Sequence, residues 1–522
     1  MQISIKESIP LRMRFRFETL NKPRDRESLV ETLVSAAAFF LPLVAYVLTL
    51  APTFYSLDSA ELTIAAHTGG LMRATGYPLY LLLGRAWSWI PIGDIGFRMN
   101  LFSAVCGALG VWLAYRIMRR IGVGRLAAAG AAGLMAAAPY YWSLSLVAEV
   151  YTLHVVLMAG LILLLLRWAE DPTSRRLAVA AGWTGLSLSH HLATALLVPG
   201  IVFFVLSRGG KSAMRPKVLA VTVVATLAGL SIYMYLPFLY AGDPAFNYAG
   251  LYDAALHFQP VDLQSLSGMW WLVSGQTFAS RMFAYSGASF WREVLEFGIH
   301  LGRAFLYIGI LPGLIGVRVL ARRDRRLAGM LVLMFAASAL FFIDYAVIDK
   351  ETMFLPTYLV WAVFGGLGYQ ALADRFADRG PIWAGRLVPA AVLGAVLIAT
   401  GVTGPQVDLS GDRTVRLRAA AALETVGPDA VIFGWWETVP PIQYLQIIEG
   451  RRPDVRIVNR FLITRESIES FVRREAGSLP VYIDRFPEEW VGIYRAVPFG
   501  DLYRVEPLSE KETALELQIF QR

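Results

Sequence analysis

Apolar runs of about 20 residues recur between residues 29 and 400 and then stop, and about 20 helical residues are what a bilayer's hydrocarbon core requires. That repetition leaves few folds open. In hydrocarbon only helices and closed barrels satisfy their backbone groups, and the alternating ten-residue strands of a barrel are absent. The charge content agrees: 17% of the 522 residues are charged and 56% hydrophobic, against roughly 25% charged in soluble chains. The reading is a polytopic α-helical membrane protein with one C-terminal soluble α/β domain.

Eleven or so spans are expected, at 29–50, 100–119, 126–142, 146–168, 177–190, 192–206, 218–240, 297–320, 327–344, 354–372 and 385–400. The pair around His190-His191 is short enough to form one re-entrant hairpin instead. Loops alternate in charge. One set holds Arg119-Arg120-Arg125, Arg175-Arg176, Arg208-Lys211-Arg215-Lys217, Arg322-Arg323-Arg325-Arg326 and Arg375-Arg379; the other holds only Arg73, Arg85, Arg98, Arg281, Arg292 and Lys350. Positive-inside bias then makes the basic N-terminus, 1–28, cytoplasmic, and places the soluble domain, 405–522, on the periplasmic or extracellular face of a bacterial inner membrane or its equivalent. The first run is too long for a signal peptide and lacks a small-x-small cleavage site, so it reads as a retained anchor.

The net charge of +8 is this loop bias and no footprint for nucleic acid. The single cysteine, Cys106, excludes an intrachain disulfide. No internal repeat, low-complexity tract, Gly-rich phosphate loop, nucleophile elbow or zinc spacing is present.

Within the membrane domain, 29–404, the outward loop 51–99 carries the chemistry. It presents Asp58 and Glu61 among small and aromatic residues, and carboxylates beside a bilayer are costly without work or partners. The segment 59–68 reads as a short amphipathic helix and 76–90 as a second interfacial one, anchored by Trp87 and Trp89. Asp58-x-x-Glu61 also has capping-box spacing, which suits a structural role equally well. Sugar transfer from a polyprenyl phosphate needs one base for the acceptor hydroxyl and cations for the phosphate, whose leaving anion requires no general acid. A retaining hydrolase would need two catalytic carboxyls about 5 Å apart. Asp58 is the candidate base; Glu61 is second choice, or a partner orienting Asp58 or a metal. Asp58 with Glu61 suits Mg or Mn only if other oxygens join them.

Arg73, Arg98, Lys350 and His190 or His191 are the candidate phosphate contacts. Snorkelling explains either arginine alone, a satisfied structural imidazole explains the histidines, and Asp349-Lys350-Glu351 also reads as a solvated, internally paired turn. The outward loop 241–296 is too long for a plain connection. After residue 402, helices at 412–425, 439–449 and 465–476 alternate with strands at 430–433, 455–458, 481–483 and 501–505, as in a small, mostly parallel α/β domain. Trp435-Trp436 follow its first strand, at the edge where such sheets bind ligands, and suit a sugar or acceptor face, or packing onto the membrane part. A transporter or flippase of a lipid-linked substrate is the competing class, but it predicts charged residues within the spans, which are scarce here.

The ordered segments LDSAEL, GYPLYLLLG, FRMNLFSA, AEVYTLH, GLSLSHHLATALLVPG, YLPFLYAGDPAFNYAG, DKETMFLPTYLVWA and YLQIIEGRRPDVRIVN resemble one family of multispan proteins. It was formerly catalogued as a domain of unknown function and includes the eukaryotic O-mannosyltransferase acting on plexin-type domains. The family resembles a branch of the GT-C glycosyltransferases. The resemblance implies a GT-C-like fold, a polyprenyl-phosphate-linked sugar as donor with mannose as the family's sugar, inversion, and a protein or glycan acceptor. It places Asp58 and Glu61 in the catalytic D-S-x-E-L segment, Tyr77 in G-Y-P-L, Arg98 in R-x-N-L, and His190 or His191 in the H-L motif. Two departures stand out. The family's His-Pro pair ahead of G-Y-P is Arg73-Ala74-Thr75 here, and its acidic, Asn-containing turn is Trp435-Trp436-Glu437.

Overall fold

The computed structural model describes residues 25–381 and 383–508; most of the basic segment 1–28 and the last part of 405–522 lie outside the described residues. In chain order the first part runs α1 (Asp25–Leu48), α2 (Asp58–Thr68), α3 (Pro78–Ser88), α4 (Ile95–Arg120), α5 (Arg125–Ala136), α6 (Pro139–Ser143) and α7 (Tyr151–Glu170). It continues with α8 (Ser174–Leu188), α9 (Val198–Gly209), α10 (Pro216–Leu230) and α11 (Tyr235–Ala241). A two-stranded hairpin, β1 (Gly250–Tyr252) and β2 (Phe258–Pro260), opens the long loop 241–296, followed by α12 (Leu266–Val273). Then come α13 (Gly287–Ala304), α14 (Ile310–Arg323), α15 (Arg325–Ile343), α16 (Leu355–Arg379) and α17 (Ala384–Val407).

Seven of these segments are long and apolar enough to cross a membrane: the apolar part of α1, α4, α7, the stretch Leu192–Ser212 containing α9, Pro216–Ala241, α15 and α17. The other four expected spans are reshaped, each for a local reason. The run 126–142 breaks ahead of Pro139, which disfavours helix in the residue before it, giving α5 and the single turn α6. The run 297–320 breaks where Leu306 and Tyr307 take positive φ, separating α13 from α14. The runs 177–190 and 354–372 are α8, of 15 residues, and α16, whose C-terminal turns carry charge. The segments flanking His190-His191 are not a hairpin folded on itself: α8 packs along α10, and α9 along α15. Gly185 permits the first contact, since a Cβ there would lie 2.1 Å from the Thr226 carbonyl oxygen, the small-residue approach common between helices in lipid.

The C-terminal part comprises α18 (Thr414–Thr425), β3 (Val431–Gly434), α19 (Val439–Ile447), β4 (Arg456–Asn459), α20 (Arg465–Glu475), β5 (Val481–Ile483), β6 (Tyr494–Phe499) and β7 (Leu502–Pro507). Its sheet order is β4-β3-β5-β7-β6. The expected mostly parallel sheet is corrected to a mixed one, because β7 runs antiparallel to β5 and forms a hairpin with β6. The sequence reading missed β6; its Pro498 suits only an edge strand, which is where β6 lies.

Contacts between the C-terminal part and loop 51–99 position the site. Phe54 and Tyr444 rings lie 4.1 Å apart, and the Gly96 N–H donates to the Tyr444 hydroxyl at 3.2 Å. Arg416 of α18 reaches Glu449 at 2.5 Å and Asp94 at 3.7 Å, with its guanidinium over the Phe54 ring. The long loop clamps the other side: the Leu71 N–H donates to the Phe246 carbonyl, and the Tyr248 N–H to the Leu71 carbonyl, each at 2.9 Å. Covered on both sides, α2 is buried from Ser59 to Ala66. It is therefore no amphipathic surface helix as expected.

Candidate active site

Asp58 and Glu61 lie one helical turn apart at the start of α2, which puts them on one face. Neither closes a capping box. The residue preceding the helix is Leu57, which has no side chain able to cap, and Asp58 is already the first helical residue. Both carboxylates instead meet Arg73, which pairs with Asp58 Oδ1 and sets its Nε 3.4 Å from Glu61 Oε1. Glu61 is fully buried, and its Oε2 accepts the Trp436 indole N–H at 2.5 Å. Burial pushes the Glu61 carboxyl up to about 7, with Arg73 opposing and Asp58 adding to the rise. Arg73 lies 4.7 Å from the Trp436 ring centre and 5.8 Å from that of Phe278. The two departures from the family pattern, Arg73 and Trp436, thus touch one another.

This cluster forms part of the wall of a cavity of about 460 Å³, lined by Asp58, Arg73, Tyr77, His191, Arg281, Tyr345, Asp349, Trp435 and Trp436 among others. Beside these polar groups the wall carries apolar side chains, among them Leu192, Leu196, Phe341, Phe342 and Met353. Tyr77 stands at the head of α3, 5.5 Å ring to ring from His191. His191 Nδ1 accepts the Ala193 N–H at 3.0 Å, which leaves a neutral ring's proton on Nε2.

The other sequence candidates sit elsewhere. Arg98 is corrected: its guanidinium caps the carbonyls of Ser88, Ile92 and Gly93 and does not line the cavity. His190 is fully buried, its Nε2 donating to the Val150 carbonyl at 2.9 Å. Lys350 is buried, pairs with Glu293 of α13 and faces the Tyr285 ring. The internally paired turn at 349–351 is therefore corrected too, with Glu351 3.9 Å from His300 and Asp349 on the cavity wall, its carboxyl raised mainly by burial. Trp87 donates its indole N–H to the Arg98 carbonyl at 2.8 Å, whereas Trp89 is exposed.

Arg281 and Asp349 were missed as site residues. Arg281 was legible as one of the few basic residues in the sparsely charged set of loops. Asp349 had only its neighbour Lys350 to recommend it. A divalent ion does not fit the carboxylates: Arg73 occupies the position between Asp58 and Glu61 that a cation would take, and no group of three metal-ligating side chains occurs among the described residues.

A family model described as the N-terminal domain of protein O-mannosyl-transferase TMEM260 matches residues 58–214. The chain is 26% identical over 521 residues to the protein O-mannosyl-transferase TMEM260 of Mus musculus, covering 92% of this chain and 70% of that protein. The protein of the same name from Dictyostelium discoideum is 22% identical over 360 residues, 63% of this chain and 43% of its own length. Among solved structures, ArnT from Cupriavidus metallidurans bound to undecaprenyl phosphate aligns with a TM-score of 0.59 at 13% identity, over 94% of this chain and 99% of that one. The apo form of the same protein gives 0.55 at 12% identity. At those identities the likeness shows the fold. The resemblance carried by the ordered motifs is borne out by the family model and both relatives.

Proposed function

We propose that this relative of the protein O-mannosyl-transferases is itself a GT-C-type membrane glycosyltransferase. It moves a sugar, mannose, from a polyprenyl-phosphate donor to a protein hydroxyl, with inversion. The observation that carries this reading is the Asp58–Arg73 pair, backed by buried Glu61, on the wall of a cavity lined by both charged and apolar side chains. A lipid-linked sugar has the same two-part character.

In this mechanism the acceptor hydroxyl gives its proton to the Asp58 carboxylate as its oxygen attacks the anomeric carbon. The bond from that carbon to the phosphate oxygen breaks, and polyprenyl phosphate leaves as an anion. Arg73 orients Asp58, and Glu61 holds Arg73 from the buried side. Arg281, the cavity cation with no carboxylate partner among the described residues, takes the phosphate with the His191 Nε2–H. The apolar side chains of the wall accept the first isoprene units. Trp435 and Trp436 face the sugar or the acceptor from the soluble part. The topology in this reading has eleven spans, the N-terminus in the cytoplasm and the soluble domain outside.

Asp58→Asn in proteoliposomes, supplied with synthetic polyprenyl-phosphate mannose and a protein acceptor, should lose about 10²- to 10⁴-fold in transfer while remaining folded. Transfer within threefold of wild type would remove the base from the mechanism. Net movement of the donor lipid across the membrane without transfer would favour the flippase class instead.

A further inference from the structure

The end of the bundle away from the cavity has a second recess, of about 590 Å³, between the C-terminal ends of α4 and α7 and the start of α8. Arg120, Arg167, Arg175 and Arg176 line it, against one lining carboxylate, Glu170. Arg120 pairs with Glu170, and Arg176 lies 3.3 Å from Asp171. Arg167 and Arg175 have no acidic partner among the described residues, and Arg120 Nε is buried without an acceptor. Guanidinia gathered this way repel one another, so the recess is short of negative charge. Positive-inside bias accounts for arginines in short loops. It does not account for four of them turned into one concavity.

The wall of the recess narrows the ligand. Leu164 lies one turn before Arg167 on α7, and Val179 one turn beyond Arg175 and Arg176 on α8, so on each helix an apolar side chain shares a face with a guanidinium. Val179 is 52% exposed. The recess therefore has a cationic rim at the helix ends and an apolar wall that continues toward the lipid. Tyr151, at the other end of α7, lines the first cavity, and 20 helical residues span roughly 30 Å. The two sites face opposite leaflets.

We infer that this recess holds the phosphate headgroup of an anionic membrane lipid, with its acyl chains against Leu164 and Val179. A soluble phosphate shares the guanidinium chemistry but makes no use of the apolar wall. The site is independent of the proposed reaction.

Full-length protein in nanodiscs of phosphatidylcholine and phosphatidylglycerol, released and weighed by native mass spectrometry, tests this. Wild type should retain phosphatidylglycerol over phosphatidylcholine. At about fivefold per basic residue near an anionic surface, Arg167→Gln/Arg175→Gln should lower that preference roughly 25-fold. Arg322→Gln/Arg323→Gln, an equal loss of charge at the end of α14, should leave it unchanged. If the first double variant does not fold, Arg175→Gln alone should show about a fivefold loss. No preference in wild type, or equal losses in the two double variants, would overturn the site. Inorganic phosphate alone raising the melting temperature as much as phosphatidylglycerol would overturn the lipid as its occupant.

Discussion

Arg73 carries more of the site than any other side chain, since two carboxylates and an indole converge on it. Its neighbour Glu61 makes a pH dependence testable. The Glu61 carboxyl rises from 4.5 to about 7 on burial, so the native state binds its proton more tightly than the unfolded chain does. That contribution to stability is fully present below about 4.5 and is lost as pH rises through about 7. Wild type should therefore lose stability relative to Glu61→Gln across that window, by at most about 3 kcal/mol, seen in melting temperatures of both proteins from pH 4.5 to 8. Parallel curves would mean the carboxyl is ionised throughout. On the phosphate side, Arg281→Gln should raise the donor KM about tenfold or more with a smaller change in kcat, because a charge-assisted contact to the bound donor is lost. An unchanged donor KM would take Arg281 off the phosphate. The sequence pointed to Asp58, Glu61, Arg73 and Tyr77 through one short loop, and the structure brings all four together. Lys350 and Arg98 looked equally available, but Lys350 is neutralised by Glu293 from another segment, and Arg98 is taken up by backbone carbonyls of its own loop, which side-chain patterns do not reveal.

Among the elements, the join between α4 and loop 51–99 is the most sensitive. A Cβ on Gly96 would lie 2.1 Å from the Phe54 backbone nitrogen, so Gly96→Ala must push that segment, which leads into Asp58, away from α4. Overpacking of this kind costs about 1–3 kcal/mol, and both the melting temperature and transfer should fall. Tyr444→Phe removes only the acceptor for the Gly96 N–H; a buried donor left unpaired costs about 1–3 kcal/mol. If Tyr444→Phe melts like wild type, water satisfies that N–H and the α19 contact is not a stabilising one. Most helices were legible because apolar runs and prolines are local signals. The breaks at Pro139 and at Leu306-Tyr307 were not foreseen, since a run of apolar residues hides a change of direction. The strand β6 escaped for a related reason: an exposed edge strand with Pro498 and Arg495 lacks a buried alternation to read.

At the level of the whole molecule, the proposed topology has a clean test. The single cysteine is buried, so new surface cysteines label without background. Ser478→Cys, exposed in the C-terminal part, should react with an impermeant maleimide from the periplasmic side, whereas Ser212→Cys, exposed after α9, should react only after permeabilisation. The opposite result would place the Asp58 loop in the cytoplasm and leave the donor on the wrong side. Hydropathy and motif order are properties of short stretches, so the chain alone determined that it is a helical membrane protein with an acidic loop after its first span and strands alternating with helices at its C-terminal end. Only the tertiary structure decided which charges are spent on partners and which face the cavity. Glu61 and Trp436 meet across 375 residues, and Lys350 and Glu293 across 57. Burial of the helices sets such contacts, and two segments that must exclude the same water leave no trace of it in either segment read alone.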